Sequence, residues 1–284
     1  MPIIAIESVR DPRLAAYAAV ARPAELAERG LFVAEGRLVV ERVLADARYV
    51  VESLLLNPAA HLALAAVLSS GGLANGGLSN GGDFPVYVVQ GVLQELTGHD
   101  FHRGCLGLVR RPLSRTLDEV LASAHTLVVL EGVANPDNLG SVFRNAAAFG
   151  PASVLLGPGC ADPFYRKAIR TSMAFTLRVP FATLGDSHEP WPQALARLRA
   201  RGFELVALTP RTPALDLEEY CARRERARPL ALLIGAEGAG SSEAAMDLAD
   251  HRVRIAISSD VDSLNLGVAT GIALQRVTSA SRSV

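Results

Sequence analysis

The chain is poor in the residues that disulfide, metal and thiol chemistry require. Among 284 residues there are three cysteines, Cys105, Cys160 and Cys221, scattered and without a C-x-x-C pair. That argues against both a disulfide framework and a structural zinc, and small buried hydrophobes describe them better than nucleophiles. Of the six histidines only His99 and His102 lie close together, with Asp100 the one acid beside them; a solvent-exposed turn accounts for them better than a metal site, so no metal is expected. Lysine is nearly missing, Lys167 being the single one, and 28 basic residues against 29 acidic leave a net charge of −1. Divided near Thr116, both parts stay close to neutral, so neither is the basic module typical of nucleic-acid binding. Apolar runs of membrane-spanning length are lacking, and Met1 to Arg13 has no basic start followed by an apolar stretch. Neither a membrane partner nor a signal peptide is expected, and a cytoplasmic location is. No G-x-G-x-x-G follows an early strand and no Gly-Lys-Ser/Thr occurs, which excludes the usual dinucleotide and Walker-type loops.

What is present is apolar: half of the residues, enough to bury a substantial core in one large or two ordinary domains. Periodicity predicts a helix over Pro12 to Arg29, a strand from Leu31 to Ala34 ending in Glu35-Gly36, a helix from Arg37 to Ala47, a strand from Ser53 to Leu56 and a helix through Leu68. Ser69 to Asp83 holds six glycines and few bulky side chains, the composition of a flexible surface loop. Strands follow at Pro85 to Val89 and Gly104 to Val109, with a short helix at Val92 to Thr97 between them. The alternation is α/β, giving a domain over residues 1–112, a linker over 113–122 and a second domain over 123–284.

The second domain carries three strand, polar loop, helix units. The first strand, Thr126 to Val133, leads into Asn135-Pro136-Asp137-Asn138-Leu139-Gly140-Ser141-Val142-Phe143-Arg144, with Asn138 read as the N-cap of a helix from Leu139 to Phe149 and Gly150-Pro151 as its stop. Gly140 and Arg144 are four apart, hence on one helical face. The second strand, Ala231 to Gly235, runs into Ala236-Glu237-Gly238-Ala239-Gly240 and a helix opened by Ser241, Ser242 and Glu243. The third, Val253 to Ile257, passes through Ser258 to Asn265 into a helix from Leu266 to Val277. A parallel sheet brings such loops together at the carboxyl ends of its strands, where open α/β sheets bind ligands.

These segments resemble the three signature motifs of the SpoU/TrmH family, RNA ribose 2′-O-methyltransferases of the SPOUT superfamily. Asn138, Gly140 and Arg144 match its N-x-G-x-x-x-R element; Gly235, Glu237, Gly238 and Gly240 its G-x-E-G-x-G; Ser263, Leu264 and Asn265 its S-L-N. The likeness spans Leu127 to Arg276 and includes Gly159 to Phe164. It departs at Ile255-Ala256-Ile257, where Ile-Pro-Met is usual, at Ala174, where glycine is usual, and at Gly267, where serine often follows S-L-N. The first two departures are expected to be mild. Phe32 to Arg37 adds a weaker resemblance to the small ribosomal-protein-like, substrate-binding domain that precedes the catalytic domain in many members.

The resemblance implies a parallel-sheet domain threaded into a trefoil knot, with S-adenosylmethionine as cofactor and ribosomal or transfer RNA as partner. It gives Gly235, Ile255 and Leu264 to the cofactor, and catalytic roles to Asn138, Arg144, Glu237, Ser263 and Asn265. Arg144 is an obvious phosphate clamp, but arginine is a poor base, so proton removal by it rests on the resemblance alone. Arg166, Lys167 and Arg170, on a helix expected beside the first motif, are further candidates for RNA backbone contact, whereas the arginines from Arg197 to Arg201 and Arg223 to Arg228 read as solvated helix faces. Small residues at Gly267, Ala269, Gly271 and Ala273 suit either a homodimer interface or packing within one chain. The competing function is a non-catalytic RNA-binding or assembly factor that keeps the fold.

Overall fold

The computed structural model describes residues 1–8, 10–69, 84–89, 104–150, 152–185 and 188–279. Most of the glycine-rich segment (70–83), the helix expected at Val92 to Thr97, and His99 and His102 lie outside the described residues. No helix among those described is long and apolar enough to cross a membrane. The chain divides into two compact units, 1–113 with 164–174, and 114–163 with 175–284.

The first unit is built on a mixed five-stranded sheet in the order β1-β4-β3-β5-β2 (Ile3–Ile6, Val86–Val89, Val51–Leu56, Cys105–Arg110, Leu31–Glu35). The first two pairings are parallel and the last two antiparallel. Leu-Phe-Val-Ala-Glu in β2 is buried at every position, the continuous pattern of a strand covered on both faces. One cover is the helix Arg166–Thr171, preceded by Phe164, whose ring centroid lies 5.2 Å from that of Phe32 at a tilt of 41°. The helix expected over Pro12 to Arg29 is broken into short 3₁₀ and α turns, because Pro23 keeps Arg22 out of the helical region (φ −120°, ψ 77°) and a new helix starts at the proline. The strand Ile3–Ile6 is an addition to the sequence reading. Ala174 is buried with φ +63°. Alanine in place of the usual glycine is therefore not the mild change expected, since the left-handed region costs an L-residue ~1–2 kcal/mol.

The second unit is a seven-stranded, wholly parallel sheet in the order β10-β12-β9-β11-β6-β7-β8 (Leu215–Asp216, His251–Arg254, Glu204–Leu208, Leu230–Ile234, Thr126–Leu130, Ala152–Leu156, Phe181–Thr183). The central strands β6, β7 and β11 are buried along their whole length, as parallel sheets flanked by helices require. Because every strand runs the same way, the loops after β6, β11 and β12 leave from one edge. The segment 113–122 is only partly linker. Thr116 and Glu119 form a reciprocal capping box that starts a helix at Leu117 and carries it to Ser123.

Candidate active site

All three motif loops belong to the second unit, and a single side chain connects them. Asn265 accepts hydrogen bonds from the backbone N–H groups of Gly267 (3.0 Å) and Val268 (3.3 Å) through Oδ1, so it caps the helix Leu266–Ser279. Its Nδ2 donates to Asn138 Oδ1 at 3.0 Å and to Glu237 Oε1 at 3.1 Å. One amide thus links first, second and third motifs, and three of the predicted catalytic residues meet there.

Asn138 can reach Asn265 because it is not the cap. The helix runs from Pro136 to Phe149, and Asn135 caps it, its Oδ1 accepting from Asp137 N–H at 2.8 Å. Proline fits the first helical position, where its missing N–H costs nothing, so the helix starts three residues earlier than the sequence reading placed it. Asn138 is left in the first turn, 7% exposed. A buried amide needs partners, and Asn265 is one.

Gly235 follows β11 directly, where the chain doubles back. A Cβ there would lie 2.0 Å from Ser241 N and 2.1 Å from the Gly240 carbonyl carbon, so only glycine fits. Gly238 and Gly240 take φ +79° and +74° to close the loop, and Ser242 N–H donates to Glu131 Oε2 (3.0 Å) at the end of β6. Arg211, missed by sequence reasoning because it lies in no motif, clasps the same loop: its guanidinium donates to the Ala239 carbonyl and to Glu243 Oε1, both at 2.8 Å.

Between the second and third loops is a cavity of about 520 Å³. Its walls include Gly235, Ile255 and Leu264, the three residues expected to hold a cofactor, together with Glu237, Ser263 and Asn265. Ser241 also borders it; its hydroxyl is buried and has no hydrogen-bond partner among the described residues. Arg144 does not line this cavity. It is exposed on the Pro136–Phe149 helix, with no hydrogen bond or ion pair to any described residue.

The helices Pro136–Phe149 and Leu266–Ser279 pack against each other. Asn145 Nδ2 donates to the Gly267 carbonyl at 2.6 Å, and Cβ atoms on Gly267 or Gly271 would meet Ser141 or Asn145 at 2.7 and 3.2 Å. The small residues at Gly267 and Gly271 therefore serve packing within the chain. Arg166, Lys167 and Arg170 belong to the first unit. Arg166 donates to Glu35 Oε2 at 3.0 Å, the two side chains 11% and 9% exposed, while Arg170 is 3.8 Å from the other carboxylate oxygen. Arg166 is thus committed to a buried ion pair, leaving Arg170 and Lys167 as the freer cations. Burial pushes the Cys105 thiol up to about 12 and raises those of Cys160 and Cys221, which suits inert packing rather than thiolate chemistry.

A parallel α/β sheet with cross-linked loops around a ligand-sized cavity at its carboxyl edge defines a small-molecule-binding domain of the kind that group-transfer enzymes use. The profile of the SpoU rRNA Methylase family matches residues 125–275, and the chain belongs to that family. An uncharacterized tRNA/rRNA methyltransferase of Mycobacterium bovis is 40% identical over 247 residues, 86% of this chain and 80% of that one. A 23S rRNA (guanosine-2′-O-)-methyltransferase of Ralstonia nicotianae is 28% identical over 186 residues, 64% of this chain and 71% of its own. In fold the chain is similar, at a TM-score of 0.77, 24% identity and 99% coverage of both chains, to an AdoMet-bound rRNA methyltransferase from Sinorhizobium meliloti.

Proposed function

We propose that this protein transfers a methyl group from S-adenosylmethionine to a ribose 2′-hydroxyl of ribosomal or transfer RNA, acting in the cytoplasm. The observation that carries the reading is the meeting of Asn138, Glu237 and Asn265 beside the cavity. The cavity's residues fit the cofactor. Ile255 and Leu264 offer apolar walls to an adenine, and the Gly235 turn leaves a cradle that any Cβ would fill. The charged residues lining it, Arg211, Glu237 and Asp262, sum to one negative charge, complementary to a sulfonium zwitterion with one net positive charge.

Bound there, the cofactor supplies an electrophilic methyl carbon. The chain's own part is placement: the nucleotide's oxygen must line up with that carbon and its sulfur, and the hydroxyl proton must leave near the transition state. Arg144, exposed and without a partner among the described residues, clamps the phosphate of the target nucleotide in bidentate fashion. Ser263 and Asn265 present hydroxyl and amide groups to the sugar, and Glu237 and Asn138 hold Asn265 in place. Lys167 and Arg170 add RNA backbone contacts. The threading of the motif loops through a knot belongs to the same proposal. So does a homodimer: Val268 and Ile272, one turn apart on the last helix, are 52% and 37% exposed, an apolar face left over after Gly267 and Gly271 are used internally.

The test is mass-spectrometric mapping of ribose methylation in total RNA from cells with and without the active protein. One 2′-O-methyl mark lost with the protein is expected; an unchanged map, together with failure to bind S-adenosylmethionine, favours the non-catalytic RNA-binding factor.

A further inference from the structure

Among the described residues lining the cavity, Arg211 is the one cation. It extends from the loop after β9 and is fixed at its base, where the Arg211 backbone N–H donates to Thr209 Oγ1 at 3.1 Å and Thr209 is itself buried. Its guanidinium spends two of five N–H groups on Ala239 and Glu243. The rest make no hydrogen bond with any described residue, and Arg211 borders the cavity. Of the two acids there, Glu237 already accepts from Asn265, whereas the Asp262 carboxylate has no hydrogen bond or ion pair with any described residue. One cavity thus holds a guanidinium with donors to spare and a carboxylate without a donor. That pair is the complement of an α-amino-acid zwitterion, and a guanidinium fork matches a carboxylate better than an ammonium does.

We propose that Arg211 binds the α-carboxylate of the cofactor's methionine moiety and that Asp262 receives its ammonium group, so that these two residues fix which end of the cofactor lies where. The assignment rests on the S-adenosylmethionine reading. It makes Arg211 a cofactor-binding residue as well as a clasp on the second loop. Two probes separate these roles: S-adenosylhomocysteine keeps the amino-acid end, and 5′-methylthioadenosine lacks it while keeping the adenosine and thioether.

Calorimetric titration of the full chain with both compounds decides the matter. The wild type is expected to prefer S-adenosylhomocysteine. Arg211→Ala weakens that compound by roughly ten- to a hundredfold, the scale of a lost charge-assisted hydrogen bond, and leaves methylthioadenosine within about twofold. Glu243→Gln loosens the clasp but retains the cation, so the preference for S-adenosylhomocysteine survives it. Equal weakening of both compounds by Arg211→Ala overturns the proposal and leaves Arg211 a loop clasp; no weakening of either overturns it too. If the wild type binds neither compound, the cofactor reading itself fails, a result distinct from the other two.

Discussion

At the scale of single residues, the site separates a cavity from a free cation. Arg144 lines no part of the cavity and has no partner among the described residues, so its removal should cost substrate placement and not cofactor binding. Arg144→Ala is expected to lower methyl transfer to RNA by about a hundredfold or more, with S-adenosylmethionine affinity unchanged by calorimetry; transfer at the wild-type rate would remove Arg144 from the mechanism. Gly267 answers a question the sequence could only raise. A hydroxymethyl group at that position starts from a Cβ 2.7 Å from Ser141 Cβ, so the serine that often follows S-L-N in the family would crowd Ser141 here. Gly267→Ser should destabilise by ~1–3 kcal/mol through overpacking, and Ser141→Gly in the same chain should return much of that in thermal melts. A double mutant no better than the sum of the two singles would mean that the residues do not compete for space. Both motif glycines and motif amides were legible as polar, turn-forming positions. The capping role given to Asn138 was not correct, because two asparagines flank the helix start and only Pro136 decides between them.

At the scale of elements, what could be read was the period and what could not was the terminus. The strands β2, β3, β5, β6 and β11 came through as apolar runs, with ends shifted by one to three residues, since runs of buried side chains announce themselves without any partner. Breaks are set by local backbone chemistry instead, as at Arg22-Pro23 and at Thr116. The capping box at Thr116 also has a readable pH signature. The Glu119 carboxylate accepts from the Thr116 backbone N–H at 2.7 Å and from its hydroxyl at 3.0 Å, and the backbone bond foremost, then the hydroxyl, lowers its pKa from the ordinary 4.5. A carboxyl whose folded pKa lies below its unfolded one contributes stability above the unfolded value and loses it as pH falls through the folded value. Glutamine can make the neutral version of the same box. Glu119→Gln should therefore melt below the wild type at neutral pH and converge with it as the pH drops below about 4.5; parallel melting curves across that range would show that the charged form of the box contributes nothing.

At the scale of the whole molecule, the first unit is discontinuous, and this is the part least legible in sequence. Helix and strand periods are local, whereas Arg166 and Glu35 are separated by 131 residues; nothing in either neighbourhood announces the other. Arg166 was a candidate RNA contact because its helix was expected beside the first motif, and the net charge of −1 gave no means of telling paired from unpaired arginines. The structure puts Arg166 over β2, where Glu35 is 8% exposed within the same Phe32 to Arg37 segment that resembles a ribosomal-protein-like domain. With Arg166 removed, Glu35 keeps its desolvation cost and is compensated only by the half-exposed Arg170 at 3.8 Å; a buried carboxylate that loses its pairing altogether costs typically ~3–5 kcal/mol. Arg166→Met preserves apolar volume and should lower stability by about 3 kcal/mol, with the loss concentrated in hydrogen-exchange protection of the β2 amides, because β2 carries Glu35. Adding Glu35→Gln removes the under-compensated charge and should restore most of that protection. The opposite pattern, with β2 protection intact in Arg166→Met and RNA affinity reduced, would return Arg166 to the RNA-binding surface and leave the ion pair without a structural role.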